Sequence, residues 1–141
     1  MLSRLALVFV LAALAAVRAG AADDPIAFEC SFAAGVTHVY DKGRFAQEKA
    51  DALSFGIGAI NAKTQSAELK MAGGGTGVLK TVLAVNATHF LEVAAEGALN
   101  ITTVYEKDDA KGSHPAVHSR HFALLGQPIV TQYHGFCRAK G

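Results

Sequence analysis

Hydrophobic and polar residues alternate along most of the chain beyond its first 25 residues. In the segment that starts the pattern, Ile26, Phe28, Cys30 and Phe32 share one parity, while small or polar residues occupy the positions between them. A period of two is typical of a β-strand with one buried face, because successive side chains point to opposite sides of the backbone. The pattern therefore predicts a half-buried strand in which Cys30 points inward.

Further runs of strand length follow, separated by short turns rich in glycine or polar residues. They predict an all-β fold, a single-domain antiparallel meander of about eight or nine strands that closes into a small barrel or a two-sheet sandwich. Glu106 to Pro115 is predicted to be an exposed loop, and the Ala, Gln, Glu and Lys residues between Phe45 and Leu53 allow a short helix. The predicted strands are Val36 to Tyr40, Ala52 to Ile60, Ser66 to Met71, Gly77 to Val85, His89 to Ala94, Leu99 to Tyr105, Ala116 to Leu125 and Pro128 to Cys137.

Residues 1–22 are predicted to be a signal peptide, and residues 23–141 the β domain. Arg4 precedes an apolar run from Leu5 to Val17, and Ala19-Gly20-Ala21 provides the small residues at which signal peptidase cuts. The alternative, an uncleaved anchor, is disfavoured because the run is shorter than the roughly 20 residues that span a bilayer. No later run has that length, so we expect a periplasmic or secreted protein with no membrane span after cleavage.

Charge excludes one class of partner. Removing Arg4 and Arg18 with the signal leaves eleven Lys and Arg against twelve Asp and Glu, so the mature domain carries a net charge of about −1. Its basic residues are scattered singly, whereas binding to a phosphate backbone needs a concentrated basic surface. We expect no nucleic-acid partner and no cofactor.

The chain has two cysteines, Cys30 and Cys137, near opposite ends of the predicted domain. In an oxidising compartment, two thiols in a small domain are expected to form a disulfide. Two free buried thiols or a thiol catalyst are the alternatives, but the C-x-x-C spacing of redox catalysts is absent.

The densest group of chemically active side chains lies between His114 and His121. On a strand, His118 and Arg120 share one face, and Ser119 and His121 share the other. The sequence around Ser119 lacks the G-x-S-x-G context of a serine nucleophile, so no catalytic residue is assigned. We interpret the group as a polar strand end or a ligand site, with a metal-dependent or hydrolytic enzyme using His118, Ser119 and His121 as the alternative.

A metal site is a weaker alternative for the same region. His118 and His121 diverge on a strand, so a zinc ion would also need His89, His134 or a carboxylate such as Glu92 from a neighbouring strand. The sequence contains no zinc-binding spacing, and no metal is expected.

Glu92 is a second candidate, because its strand can place it inside the domain. An unpaired buried carboxylate is costly, so an inward Glu92 needs a partner, and Arg120 is the predicted one. Such a pair would either stabilise the fold or contact a polar ligand.

Several strings near the two ends resemble a group of small exported alphaproteobacterial proteins. The strings are Phe28 to Phe32 (F-x-C-x-F), Ala116 to His121 (A-V-H-S-R-H) and Gly135 to Cys137 (G-x-C). The resemblance covers nearly the whole predicted domain and implies a periplasmic setting, but it implies no activity. The predicted barrel itself favours a non-enzymatic module that binds a small molecule or an envelope protein.

Overall fold

A computed structural model describes residues 24–141. This part of the chain forms ten β-strands: β1 (Ala27–Phe32), β2 (Gly35–Asp41), β3 (Arg44–Ala50), β4 (Leu53–Asn61), β5 (Ser66–Met71), β6 (Thr76–Ala84), β7 (Ala87–Val93), β8 (Leu99–Tyr105), β9 (His114–Leu124) and β10 (Gln127–Lys140). Every pairing between them is antiparallel.

Eight of the strands close into a barrel. Strands β4 to β10 pair in chain order, and β1 completes the ring by pairing with β4 on one side and with β10 on the other. The predicted all-β antiparallel meander is confirmed, and of the two predicted architectures the barrel is the one formed. Closure leaves the barrel strands without free edges.

Strands β2 and β3 are the two that lie outside the ring. They belong to one long hairpin, which is formed by residues 27–41 and 44–61. Its register does not shift from the Phe28–Ile57 pair to the Asp41–Arg44 pair. Its β1–β4 half belongs to the barrel, and its β2–β3 half continues past the barrel rim alongside β10. We call the sheet formed by β3, β2 and the adjoining halves of β10 and β9 the extension sheet. A bond of 2.9 Å between the Thr37 and Thr131 hydroxyls links β2 to β10 within it.

The predicted short helix between Phe45 and Leu53 is wrong. Residues Arg44–Ala50 form β3, which pairs with β2 along its whole length. The tight turn at Lys42-Gly43, where both residues have positive φ (48° and 81°), directs the chain back along β2. Ladder pairing then outweighs the weak helix preference of an Ala, Gln, Glu and Lys segment.

The predicted disulfide is confirmed. Cys30 of β1 and Cys137 of β10 are direct cross-strand neighbours and are bonded to each other, with their Cα atoms 4.0 Å apart. Both side chains are buried in the barrel interior, as the alternation predicts for Cys30. The bond joins the first and last strands of the ring, 107 residues apart in sequence.

The core fills the barrel with inward-facing side chains from all around the ring. Phe32, Phe90 and Ile57 are the largest of those that are fully buried. Gly135 of β10 lets β1 approach closely, since a Cβ there would collide with the backbone oxygen of Ser31 and with the ring of Phe32. The rest of the core is Phe28, Cys30, Phe55, Ala67, Leu79, Val104, Ala116 and Cys137.

The predicted signal peptide, residues 1–22, lies outside the described residues and stays a prediction. Within residues 24–141 no helix has the length and apolar character needed to cross a bilayer. The predicted loop from Glu106 to Pro115 is mostly exposed, but it ends earlier than predicted, because β9 begins at His114. Ser113 is buried and pairs with Asp108 in an isolated bridge.

Candidate functional site

Two cavities open from the barrel interior, and Phe90 lines both of them. Cavity A, of about 370 Å³, lies at the end where the extension sheet begins, and cavity B, of about 340 Å³, lies at the opposite end. Phe90 is 1% exposed and its ring packs edge-on against that of Phe28, with centroids 6.3 Å apart. The interior is therefore two separate half-cavities and not a continuous channel.

Cavity A has an apolar wall and a polar band. Leu53, Phe55, Leu69, Met71, Leu79 and Phe90 contribute most of the apolar wall. Five of the polar side chains come from three consecutive strands: Glu92 of β7, Asn100 and Thr102 of β8, and His118 and Arg120 of β9. Thr76, Glu96 and Tyr133 complete the polar lining. A cavity of this volume, with a few convergent polar groups on an apolar wall, has the character of a small-molecule site.

Glu92 points inward, as its predicted position allowed, and its partner is Asn100. The two residues are cross-strand neighbours, and the Asn100 Nδ2 atom donates a 2.7 Å hydrogen bond to the Glu92 Oε2 atom. Space for the carboxylate comes from Gly77 of β6, where a Cβ would lie 2.7 Å from the Glu92 Oε1 atom. The pair forms the polar band on the β7–β8 side of the cavity.

The hydrogen bond to Glu92 also fixes the orientation of the Asn100 amide. Turning the amide over would place its oxygen against the carboxylate oxygen, which is repulsive, so the nitrogen must face Glu92. The Asn100 Oδ1 atom is then directed elsewhere, and it is buried with no hydrogen-bond partner among residues 24–141. An unpaired buried carbonyl oxygen costs about 1–3 kcal/mol, so a hydrogen-bond donor placed beside this acceptor would stabilise the site.

The predicted ion pair between Glu92 and Arg120 is wrong. Arg120 instead bonds Glu96, with 3.1 Å between the Arg120 Nη2 and Glu96 Oε1 atoms, and its guanidinium lies over the Phe122 ring. The reason is the strand order: Asn100 of β8 lies between the two residues and pairs in register with both. The Arg120 and Glu96 side chains are 44% and 60% exposed, so their ion pair contributes little stability.

His118 forms part of the cavity wall and is 9% exposed. Its ring is surrounded by those of Phe32, Phe55 and Tyr133 at centroid distances of 5.2–6.1 Å, and its Nδ1 atom lies 2.9 Å from the Thr102 hydroxyl. Burial, together with the positive charge of Arg120, lowers the pKa of His118 to about 4. His118 is therefore a neutral imidazole near neutral pH, able to donate or accept a hydrogen bond but carrying no charge.

Ser119 and His121 lie on the other face of β9. Ser119 faces Gln132 of β10, whose Nε2 atom is 3.5 Å from its hydroxyl, and His121 is exposed. The predicted division of β9 into two faces is thus what the structure shows. Because His118 faces the interior and the other two side chains face out, the set proposed for the alternative enzyme does not converge on one point.

The histidines considered for a metal are also dispersed. His89 bonds the Thr103 hydroxyl at 2.9 Å on the outer face, where His121 and His134 also lie, whereas His118 points inward. Among residues 24–141, no three His, Cys, Asp or Glu side chains are close enough together to hold a metal ion.

Asn100 and Thr102 are polar residues of cavity A that were not predicted, and so are Thr76, Glu96 and Tyr133. The first two share the parity of Val104 and alternate with Leu99 and Ile101, so the sequence places them on one face of the strand without showing that this face is inward. An inward polar residue on a predicted barrel strand marks either a hydrogen-bond network or a ligand site. Glu96 gave no such sign, because it lies in the turn between β7 and β8, outside any alternating run.

Comparisons with known proteins give no identity. No protein-family model matches the chain, and no curated protein is significantly similar to it. The resemblance to exported alphaproteobacterial proteins therefore stays a prediction.

Proposed function

We propose that this domain is a non-enzymatic binding protein that takes a small molecule into cavity A. The observation that supports it best is Asn100, which lines an open cavity of about 370 Å³ and whose buried Oδ1 acceptor has no hydrogen-bond partner among residues 24–141. A barrel of eight strands can either fill its interior with side chains or hold one small ligand. Here the middle is filled by Phe90 and its neighbours, while the end next to the extension sheet stays open.

The ligand we propose has an apolar body and a head group that donates hydrogen bonds, such as a hydroxyl or a primary ammonium group. The Asn100 Oδ1 atom can only accept, so it selects a donor. The neighbouring Glu92 carboxylate is negatively charged and also accepts, which favours a cationic donor over a neutral one. Leu69, Met71 and Leu79 on the opposite wall fit the apolar body.

Anionic head groups fit the same cavity poorly. The carboxylates of Glu92 and Glu96 both line it, and Arg120 is its single cationic side chain. Arg120 is already engaged by Glu96, so an incoming carboxylate would meet repulsion from Glu92 without a free positive partner.

Three probes of equal chain length test this proposal: hexylamine, hexanol and hexanoate, titrated into isotope-labelled protein and followed by NMR. We expect hexylamine and hexanol to shift the Asn100 side-chain amide and the His118 ring resonances. We expect hexanoate to bind at least about tenfold more weakly than hexylamine, the factor that about 1.4 kcal/mol provides. If none of the probes shifts a resonance of a cavity A residue, small-molecule binding there is refuted; if hexanoate binds best, the proposed head group is wrong.

Glu92→Gln separates charge from shape, since the amide has the size of the carboxylate. It should weaken hexylamine binding by about tenfold and leave hexanol binding nearly unchanged, because a hydrogen bond to a charged group is worth more than one to a neutral group. Ser119→Ala is the matched control, as it alters a polar side chain on the outer face of β9 and should affect neither probe. Equal losses for both probes in Glu92→Gln would mean that the carboxylate acts by shaping the cavity.

We also propose that the domain works in an oxidising compartment, the periplasm or the exterior, and the Cys30–Cys137 disulfide supports this. Cell fractionation followed by N-terminal sequencing tests it directly. We expect a soluble exported form that begins near residue 22 or 23. A cytoplasmic protein that retains residues 1–22 would refute this part of the proposal.

A further inference from the structure

Strand β3 is the outermost strand of the extension sheet, and its outer edge has no partner strand within residues 24–141. Both faces of β3 are exposed from Arg44 to Lys49, and the ring of Phe45 is 57% exposed. An open, two-sided edge of this kind is a template for pairing with another strand unless something blocks it.

The hairpin geometry shows which backbone groups of β3 face outward. Asp41 and Arg44 flank a two-residue turn, so they form a hydrogen-bonded pair, and such pairs then alternate along the ladder. Arg44, Ala46 and Glu48 therefore bond to β2. The N–H and C=O groups of Phe45, Gln47 and Lys49 point to the free edge, where they can accept a new strand.

Two of the three charged residues of β3 are arranged symmetrically about Ala46, and the third, Lys49, lies on the other face of the strand. Arg44 precedes Ala46 by two residues and Glu48 follows it by two, so the three side chains share one face of the strand. The two charged residues are roughly 13 Å apart along an extended strand, too far to pair with each other. Neither takes part in an ion pair in the part of the chain that the structure describes.

We propose that two copies of this chain pair edge to edge through β3, antiparallel, about a two-fold axis that passes between the two copies of Ala46. That axis places Arg44 opposite the partner's Glu48, and Glu48 opposite the partner's Arg44. Phe45 and Gln47, whose backbone groups are free, then form the hydrogen-bonded pairs of the new ladder. The charged pairs occupy the closer, non-hydrogen-bonded positions, where cross-strand side chains interact most strongly.

Charge selects this register over its neighbours. Two residues that are paired across this antiparallel ladder must have their side chains on the same side of the sheet. The two-fold axis can therefore lie beside one residue of β3 or beside the next, but not between them. An axis at Gln47 would place Glu48 opposite the partner's Ala46 and leave both charges unpaired. An axis at Glu48 would place two carboxylates directly opposite each other, which is destabilising.

The pairing is independent of cavity A, because it uses only β3. It extends the sheet across the dimer while burying little side-chain surface, which is typical of weak, transient interfaces. We therefore expect a dimer that forms between micromolar and millimolar protein concentration.

Analytical ultracentrifugation of the mature, oxidised protein over that concentration range tests the proposal. The wild type should show a reversible monomer–dimer equilibrium. Arg44→Glu and Glu48→Arg should each weaken the dimer by at least about tenfold, since each replaces two attractive pairs by two repulsive ones. The double variant Arg44→Glu/Glu48→Arg should dimerise again, because its charges are exchanged and remain complementary.

Mixing the two single variants gives the sharpest result. Arg44→Glu carries two carboxylates on this face and Glu48→Arg carries two guanidinium groups, so each should be monomeric alone and the mixture should form a heterodimer. Damage to the hairpin by either substitution would not be repaired on mixing, so the experiment separates an interface from a folding effect. Gln47→Pro removes an outward N–H while leaving the bonds to β2, and it should abolish the dimer with the barrel intact.

Two outcomes would overturn the proposal. One is a wild type that remains monomeric up to millimolar concentration. The other is a dimer that withstands both charge reversals and Gln47→Pro, since it would have to use another surface.

Discussion

The buried imidazole of His118 predicts a specific loss of stability in mild acid. An unfolded chain exposes His118 to water, where its pKa is about 6.5, whereas in the folded barrel burial and Arg120 lower the pKa to about 4. Between these two values the unfolded chain binds more protons than the folded one. The free energy of unfolding therefore falls as the pH drops from about 6.5 to about 4. Above the higher of these two pKa values nothing is lost, because His118 is neutral in both the folded and the unfolded chain.

The size of the loss follows from the two pKa values. At about pH 5 the unfolded imidazole is almost fully protonated and the folded one almost fully neutral, which corresponds to a loss of about 2 kcal/mol relative to about pH 7.5. The side chain is 9% exposed, so solvent screening reduces this figure little. Against a total stability of roughly 5–15 kcal/mol for a domain of this size, the change is easily measured.

Urea denaturation at these two pH values, for the wild type and for His118→Gln, provides the assay. Gln keeps a hydrogen-bonding group near Thr102 and does not titrate, so other groups contribute equally in both proteins and cancel in the comparison. The wild type should lose about 2 kcal/mol more than His118→Gln, and His121→Gln, on the exposed face of the same strand, should behave as the wild type does. Parallel pH profiles for wild type and His118→Gln would refute the claim that His118 is buried as a neutral base.

Three further predictions concern the barrel itself. Replacing Cys30 and Cys137 together by Ala should lower the free energy of unfolding by about 2–5 kcal/mol, because a 107-residue loop is no longer closed in the unfolded chain; an unchanged urea midpoint would contradict this. Gly135→Ala should lower the free energy of unfolding by more than about 2 kcal/mol, because the new methyl group pushes β1 away from β10. The control Gly73→Ala has nothing within 4 Å of its new methyl group and should lower it by less than about 0.5 kcal/mol. Equal urea midpoints for the two variants would show that β1 adjusts freely. Phe90→Ala should lower the free energy of unfolding by about 3–5 kcal/mol and join the two cavities into one. An alkylamine longer than hexylamine should then bind more tightly than it does to the wild type. If the longer amine gains no affinity, Phe90 is not the wall between the cavities.

The sequence predicted the strands well where one face is buried, and less well elsewhere. Alternation placed Phe28, Cys30 and Phe32 inward because burial on one face forces a period of two. Strand β3 was missed because both of its faces are exposed, so no such pattern exists, and its pairing with β2 is a tertiary effect. Closure into a barrel depends on β1 pairing with β10, which the alternation within either strand does not show; the predicted Cys30–Cys137 bond is the feature of the sequence that points to this contact, and it is equally compatible with a sandwich.

The same distinction holds for the candidate site. Parity along β9 correctly separated His118 and Arg120 from Ser119 and His121, since it is a property of one strand. The predicted pair of Glu92 with Arg120 failed because it required knowing which strand lies between β7 and β9. Asn100 on that strand donates a hydrogen bond to the Glu92 carboxylate instead, and its own buried Oδ1 atom has no hydrogen-bond partner among residues 24–141.

The disulfide also bears on how this barrel folds. Every pairing in the meander from β4 to β10 joins strands linked by a turn, so each can form early from residues close in sequence. The pairing of β1 with β10 is different, because its partners are separated by nearly the whole domain and must meet at a large cost in chain entropy. Once Cys30 and Cys137 are bonded, that most distant contact becomes a local one. The oxidised chain should therefore refold faster than the reduced chain. The reduced chain has to bring β1 and β10 together during folding, whereas in the oxidised chain the disulfide already holds them close.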